Sequence, residues 1–99
     1  MSNWRNQLPK WHPMYQPQPE PFTYTQRLEA ISVLEKVTTQ MQGEPSVKAG
    51  QALLAIRLQR DAGEVERSLA EAIRRSPPGE SRLSLERLWR ILFHRNVPR

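Results

Sequence analysis

The chain has 99 residues, 37% of them hydrophobic, no cysteine and a net charge of +5. That is enough for one domain at most, and the lack of cysteine excludes disulfide staples and thiolate metal sites. The charge is lopsided: residues 1–73 balance eight basic against eight acidic side chains, whereas residues 74–99 set seven arginines against Glu80 and Glu86, an asymmetry that calls for an anionic partner.

Residues 1–21, MSNWRNQLPKWHPMYQPQPEP, contain five prolines and cannot form a helix. The proline spacing (9, 13, 17, 19, 21) holds no PxxP, so the usual SH3-ligand pattern is absent. Five of the seven aromatics, Trp4, Trp11, Tyr15, Phe22 and Tyr24, fall in the first 24 residues. Disordered tails are poor in aromatics. The segment therefore reads as an arm extended by proline and made adhesive by aromatic rings, either covering a groove of its own bundle or contacting a partner. Beyond Met1, Met1 to Lys10 offers only Trp4 and Leu8 as large apolar groups, too few for an export segment, and no later run approaches about 18 apolar residues. The expectation is a soluble, cytoplasmic protein with no membrane segment.

Residues 22–99 read as a helical domain. The first helix is expected from Thr23 to Gln42, opened by a capping box of Thr23 and Gln26. Leu28, Ile31, Leu34, Val37 and Met41 form its apolar stripe, and Gly43 and Pro45 stop it. The second helix is expected from Ser46, as N-cap, to Ala62, with Gly63 ending it. Its apolar set of Val47, Leu53, Leu54, Ile56 and Leu58 is too broad for one stripe, which predicts a central place in the bundle. Gly50 and Ala52 would allow close helix approach. A short third helix over Glu64–Arg75 buries Val65, Leu69 and Ile73, and Pro77, Pro78 and Gly79 break the chain. The fourth helix, Ser81–His94, sets Leu85, Leu88, Trp89 and Leu92 on one face and Arg87, Arg90 and His94 on the other, with Ile91 and Phe93 widening the apolar side. The fold class is all-α: a small bundle of three to four short helices with an extended, proline- and aromatic-rich N-terminal arm. A core drawn from fewer than about 80 residues supplies only about 3–5 kcal/mol unless it is completed by the arm, a copy or a partner.

No catalytic constellation is visible. The serines at 32, 46, 68, 76, 81 and 84 lie in no nucleophile-elbow context, the only histidines are His12 and His94, and no glycine-rich phosphate loop exists. The reading is therefore non-enzymatic, without cofactor or metal. The stretch AIRLQRDAGEVERSLAEAI loosely matches a helix-turn-helix, but Glu64 and Glu66 at the start of its second helix would repel phosphates.

Two functional readings follow. The first is a small regulator, adaptor or inhibitor, by analogy of the bacterial or phage-encoded kind, that occupies a protein with an apolar groove and an acidic surface through Trp4, Trp11, Tyr15, Arg87, Arg90, His94 and Arg95. The alternative is a nucleic-acid binder using Arg74, Arg75, Arg82, Arg87, Arg90, Arg95 and Arg99 on phosphates. A homo-oligomer pairing through the wide apolar face of the last helix is a third arrangement.

Overall fold

The computed structural model describes residues 4–15 and 21–98, the side chain of Asn6 excepted. After the arm come four helices: α1 (Tyr24–Gln40), α2 (Glu44–Arg57), α3 (Ala62–Arg75) and α4 (Glu80–Phe93). There is no strand among the described residues. The protein is an all-α bundle.

Local chemistry sets each boundary, and in three places it does so differently from the expectation. At α1 the capping box forms: the Gln26 N–H donates to Thr23 Oγ1 at 3.1 Å and the Thr23 N–H to Gln26 Oε1 at 2.9 Å. α2, however, begins at Glu44 with Gly43 as its N-cap. Gly43 sits at φ 75°, ψ −151°, a conformation open to glycine alone. Pro45 therefore opens α2 rather than closing α1, because a first-turn residue needs no N–H. Ser46, expected as the cap, instead donates its hydroxyl to the Thr38 carbonyl at 3.0 Å. α2 stops at Arg57, short of Ala62, as Gln59 takes a positive φ of 55°. Asp61 then caps α3 by accepting from the Glu64 N–H at 2.9 Å, so Gly63 lies in the first turn of α3 and ends nothing. α4 ends at Phe93, and His94 takes the left-handed cap position at φ 53°.

The helices form a ring: α1 packs on α2 and α4, α3 packs on α2 and α4, and no Cα atoms of the diagonal pairs come within 8 Å. Cross-links fix the directions. Thr38 near the end of α1 meets Ser46 near the start of α2, and the end of α3 reaches the start of α2 through an Arg75–Glu44 ion pair. At the opposite end of the bundle, Gln26 Nε2 donates to the Ile91 carbonyl at 3.1 Å. Successive helices therefore run up, down, up and down, as short connections require.

Leu34, Val37, Val65, Leu69, Ile73, Leu85 and Leu88 are the largest fully buried side chains. The expected stripe of α1 faces inward in the main: Leu34 and Val37 are buried beside Ala30, while Ile31 and Met41 pack against the core, and only Leu28 is left 51% exposed. α2 is not central: its inner face is Ala49, Ala52, Ala55 and Ile56, and Val47, Leu54 and Leu58 are exposed. The apolar face of α4 is largely taken up inside the bundle, with Leu85, Leu88, Trp89 and Leu92 buried, while Leu83 is exposed.

Candidate partner-binding surface

Among its described residues the arm holds no α-helix, in keeping with its prolines, and is a run of short turns. Trp4–Gln7 forms a single 3-10 turn. The His12 N–H then donates to the Pro9 carbonyl, and the Tyr15 N–H to the His12 carbonyl, each at 2.9 Å. Pro13 occupies the second position of the latter turn, where its fixed φ is already correct. His12 Nδ1 accepts from the Met14 N–H at 3.1 Å. These turns place Trp11 at a corner, where its side chain is 80% exposed. Trp4 is about half exposed with the Arg5 guanidinium 5.6 Å from its ring centroid, and Tyr15 is half-buried. Pro17 and Pro19 lie outside the described residues.

The arm is fastened to the bundle by Phe22. That ring is buried and stands edge-on to Phe93 with centroids 5.7 Å apart. Phe93 in turn lies 4.6 Å from Trp89, and the Arg95 guanidinium sits 5.5 Å from both the Trp89 and Phe93 centroids, a cation–π arrangement. Trp89 Nε1 donates to the Asn96 carbonyl at 3.0 Å, which turns the C-terminal tail back over the helix. The aromatic arm and the basic tail therefore leave the bundle at the same end.

The arginines divide into two groups. Arg74 and Arg75 both bond Glu71, at 3.0 and 3.1 Å, and Arg75 also pairs with Glu44. Arg82 bonds Glu86 at 3.1 Å and Arg95 bonds Glu66 at 2.6 Å. The hydrogen bond from Arg75, then that from Arg74, holds the Glu71 carboxyl below its ordinary value, and the same Glu71 bond raises Arg75. Arg87 and Arg90 are exposed on the outer face of α4 and form no ion pair among the described residues. His94 is exposed at the helix cap, and Arg99 is outside the described residues. A groove of about 320 Å³ runs between α2 and α3, lined in part by Leu54, Arg60 and Glu64. Another of about 460 Å³ lies between α3 and the tail, between Arg67, Arg74 and Arg95.

No family model matches the chain, no curated protein resembles it, and no solved structure matches it. Among the described residues no cluster of three or more His, Asp or Glu could hold a metal ion, and no helix is long and apolar enough to cross a membrane. What these side chains offer is apolar area on the arm and two uncommitted guanidinium groups on α4. The sequence reading missed how they connect. Phe22 on Phe93, Gln26 on Ile91 and Arg95 on Glu66 join residues 29 or more positions apart, and no local spacing announces such pairs.

Proposed function

We propose that the protein is a small binding protein, a regulator, adaptor or inhibitor, that occupies the surface of another protein without catalysing a reaction. The observation that supports this most is Trp11, an indole held at the corner of a hydrogen-bonded turn and 80% exposed. Tryptophan is the residue type most enriched among the few side chains that dominate binding energy, because one rigid ring buries a large area at little entropic cost. Trp4 and Tyr15 share its segment. His94 and Arg95 stand at the end of the bundle from which the arm departs, with Arg90 and then Arg87 further back along α4, and together they would steer an acidic rim toward it.

The test is capture from cell lysate after nuclease treatment, comparing the full chain with Trp11→Ala and Trp4→Ala. Both tryptophans are exposed, so both variants should keep the circular dichroism and thermal midpoint of the parent. The expected result is one defined protein retained by the parent and lost with Trp11→Ala. Equal retention by all three chains would reject the arm as the contact.

A nucleic-acid reading keeps one observation in its favour, the unpaired Arg87 and Arg90 on one face of α4. Capture abolished by nuclease and indifferent to Trp11 would select it.

A further inference from the structure

Of the four neighbouring pairs in the ring, α3 and α4 pack most loosely. The chain after α4 lies along that seam. His94 bends it back at φ 53°, a left-handed position that is unfavourable for a residue with a Cβ and needs contacts to hold it. Those contacts come from the residues that follow. The Arg95 guanidinium donates to Glu66 of α3 at 2.6 Å and also sits 5.5 Å from the ring centroids of Trp89 and Phe93 on α4. The Asn96 carbonyl accepts from Trp89 Nε1 at 3.0 Å, and Val97 packs against the core. Asn96 and Pro98 border two grooves, one of about 590 Å³ beside Arg82 and Arg90 of α4 and one of about 460 Å³ beside Arg67 and Arg74 of α3. The tail is therefore a bridge with open space on both sides. α4 keeps a separate hold on α1 through the Gln26–Ile91 hydrogen bond and the Phe22–Phe93 contact, neither of which involves the tail.

We propose that residues 95–98 are a releasable strap across the α3–α4 seam, latched by Arg95 on Glu66, whose opening bares Trp89 while the four helices stay folded. The latch is the weak point. Its two side chains are 55% and 38% exposed, so water and salt compete for both. Among the described residues it is the one ion pair between the tail and α3. An anionic group that takes Arg95 from Glu66 opens the strap, and Trp89 then loses its Asn96 acceptor. The device is separate from the arm's contact and holds whether or not Trp11 meets a partner.

Hydrogen exchange of the Trp89 indole N–H, followed by NMR on the full chain, reads the strap directly, with the exposed Trp4 and Trp11 indoles as internal references. In the parent that proton should exchange more slowly than the references but faster than the backbone amides of the buried Leu69 and Leu88, because the strap opens without global unfolding. Loss of an exposed pair shifts an equilibrium by up to about fivefold. Arg95→Ala and Glu66→Gln should each quicken Trp89 exchange by about that factor and leave Leu69 and Leu88 unchanged. The double variant should match Arg95→Ala alone. Raising salt from about 0.01 M to about 1 M, which cuts the screening length from about 30 Å to about 3 Å, should quicken the parent but not Arg95→Ala. Arg87→Ala, an equal loss of charge on the outer face of α4, should behave as the parent does. Trp89 exchange as slow as that of Leu69 and Leu88 in the parent overturns the proposal, since the tail would then be a fixed part of the core. So does an Arg95→Ala or Glu66→Gln variant that quickens all three protons alike, or none of them.

Discussion

Gly50 is the sharpest probe of how closely α1 and α2 approach. It lies within α2, half-buried and away from both ends, at a position where glycine weakens a helix by its backbone freedom. A Cβ added there would stand 3.9 Å from Thr38 Cγ2, an ordinary van der Waals contact. Gly50→Ala therefore gains the helix propensity of alanine, about 0.8–1.0 kcal/mol, at no steric cost. For a domain of this size that corresponds to a rise of about 4–8 °C in Tm. With a urea slope of about 1 kcal/mol/M, the unfolding midpoint should move up by about 1 M. The assay is urea unfolding followed by far-UV circular dichroism, with the slope expected to stay constant. Gly43→Ala is the opposing control. Its φ of 75° and ψ of −151° suit no residue with a Cβ, so the same chemical change should cost about 1–3 kcal/mol. A fall in the midpoint for Gly50→Ala would refute the reasoning, for it would mean that the two helices meet at Thr38 more tightly than 3.9 Å allows.

The inward face of α1 gives a second test: Leu34→Ala, fully buried, should cost about 2–5 kcal/mol, whereas Leu28→Ala, half exposed, should cost well under half of that. Equal losses in chemical denaturation would place Leu28 in the core after all. Glu71 gives a third. Its folded carboxyl is held below the ordinary 4.5, chiefly by the Arg75 hydrogen bond. The pairing therefore favours the fold above the unfolded value and is lost as pH falls through the lowered one. A carbon-13 titration of the Glu71 carboxyl should show a depressed midpoint that returns toward 4.5 in Arg75→Ala, and an undisplaced midpoint in the parent would deny the contact.

The helices were legible wherever large apolar residues recur at helical spacing and meet a matching core. α3 and α4 are the cases: Val65, Leu69 and Ile73, and Leu85, Leu88, Trp89 and Leu92, are all buried as their spacing implies. α2 was misread because its inner face is built largely from alanine, which allows close packing but contributes little to a hydrophobic pattern, whereas in α1 only Leu28 departs from the expected stripe. In α2 the eye follows Leu54 and Leu58, and these point outward. The boundary errors share another cause. Gly43, Pro45 and Gly63 can each stop a helix or help to start the next, and the three- and four-residue connections here leave them in the second role, Gly43 as N-cap and Pro45 and Gly63 in first turns. For the candidate surface, residue types were legible and partnerships were not. The aromatic enrichment of the arm is plain in the chain, but which ring anchors it is decided by Phe93, some seventy positions away.

Charge is where sequence and structure must be weighed together. The last quarter of the chain carries the whole excess of positive charge, yet Arg74, Arg75, Arg82 and Arg95 are each matched to a glutamate, three of those carboxylates coming from the balanced part of the chain or from α3. Exposed pairs of this kind contribute about 0–1 kcal/mol, so a ligand dense in negative charge can exchange them, while a sparse one cannot. The salt dependence of binding therefore separates the two functional readings. If Arg87 and Arg90 alone meet the ligand, as at an acidic protein rim, the logarithm of affinity should fall with the logarithm of salt at a slope of about −2; recruitment of all seven arginines by a polyphosphate backbone gives about −6. A shallow slope with binding lost in Trp11→Ala supports an adhesive arm guided by two free arginines. A steep slope with Trp11→Ala unchanged would mean that the glutamates of α2, α3 and α4 merely hold the arginines in place for phosphate.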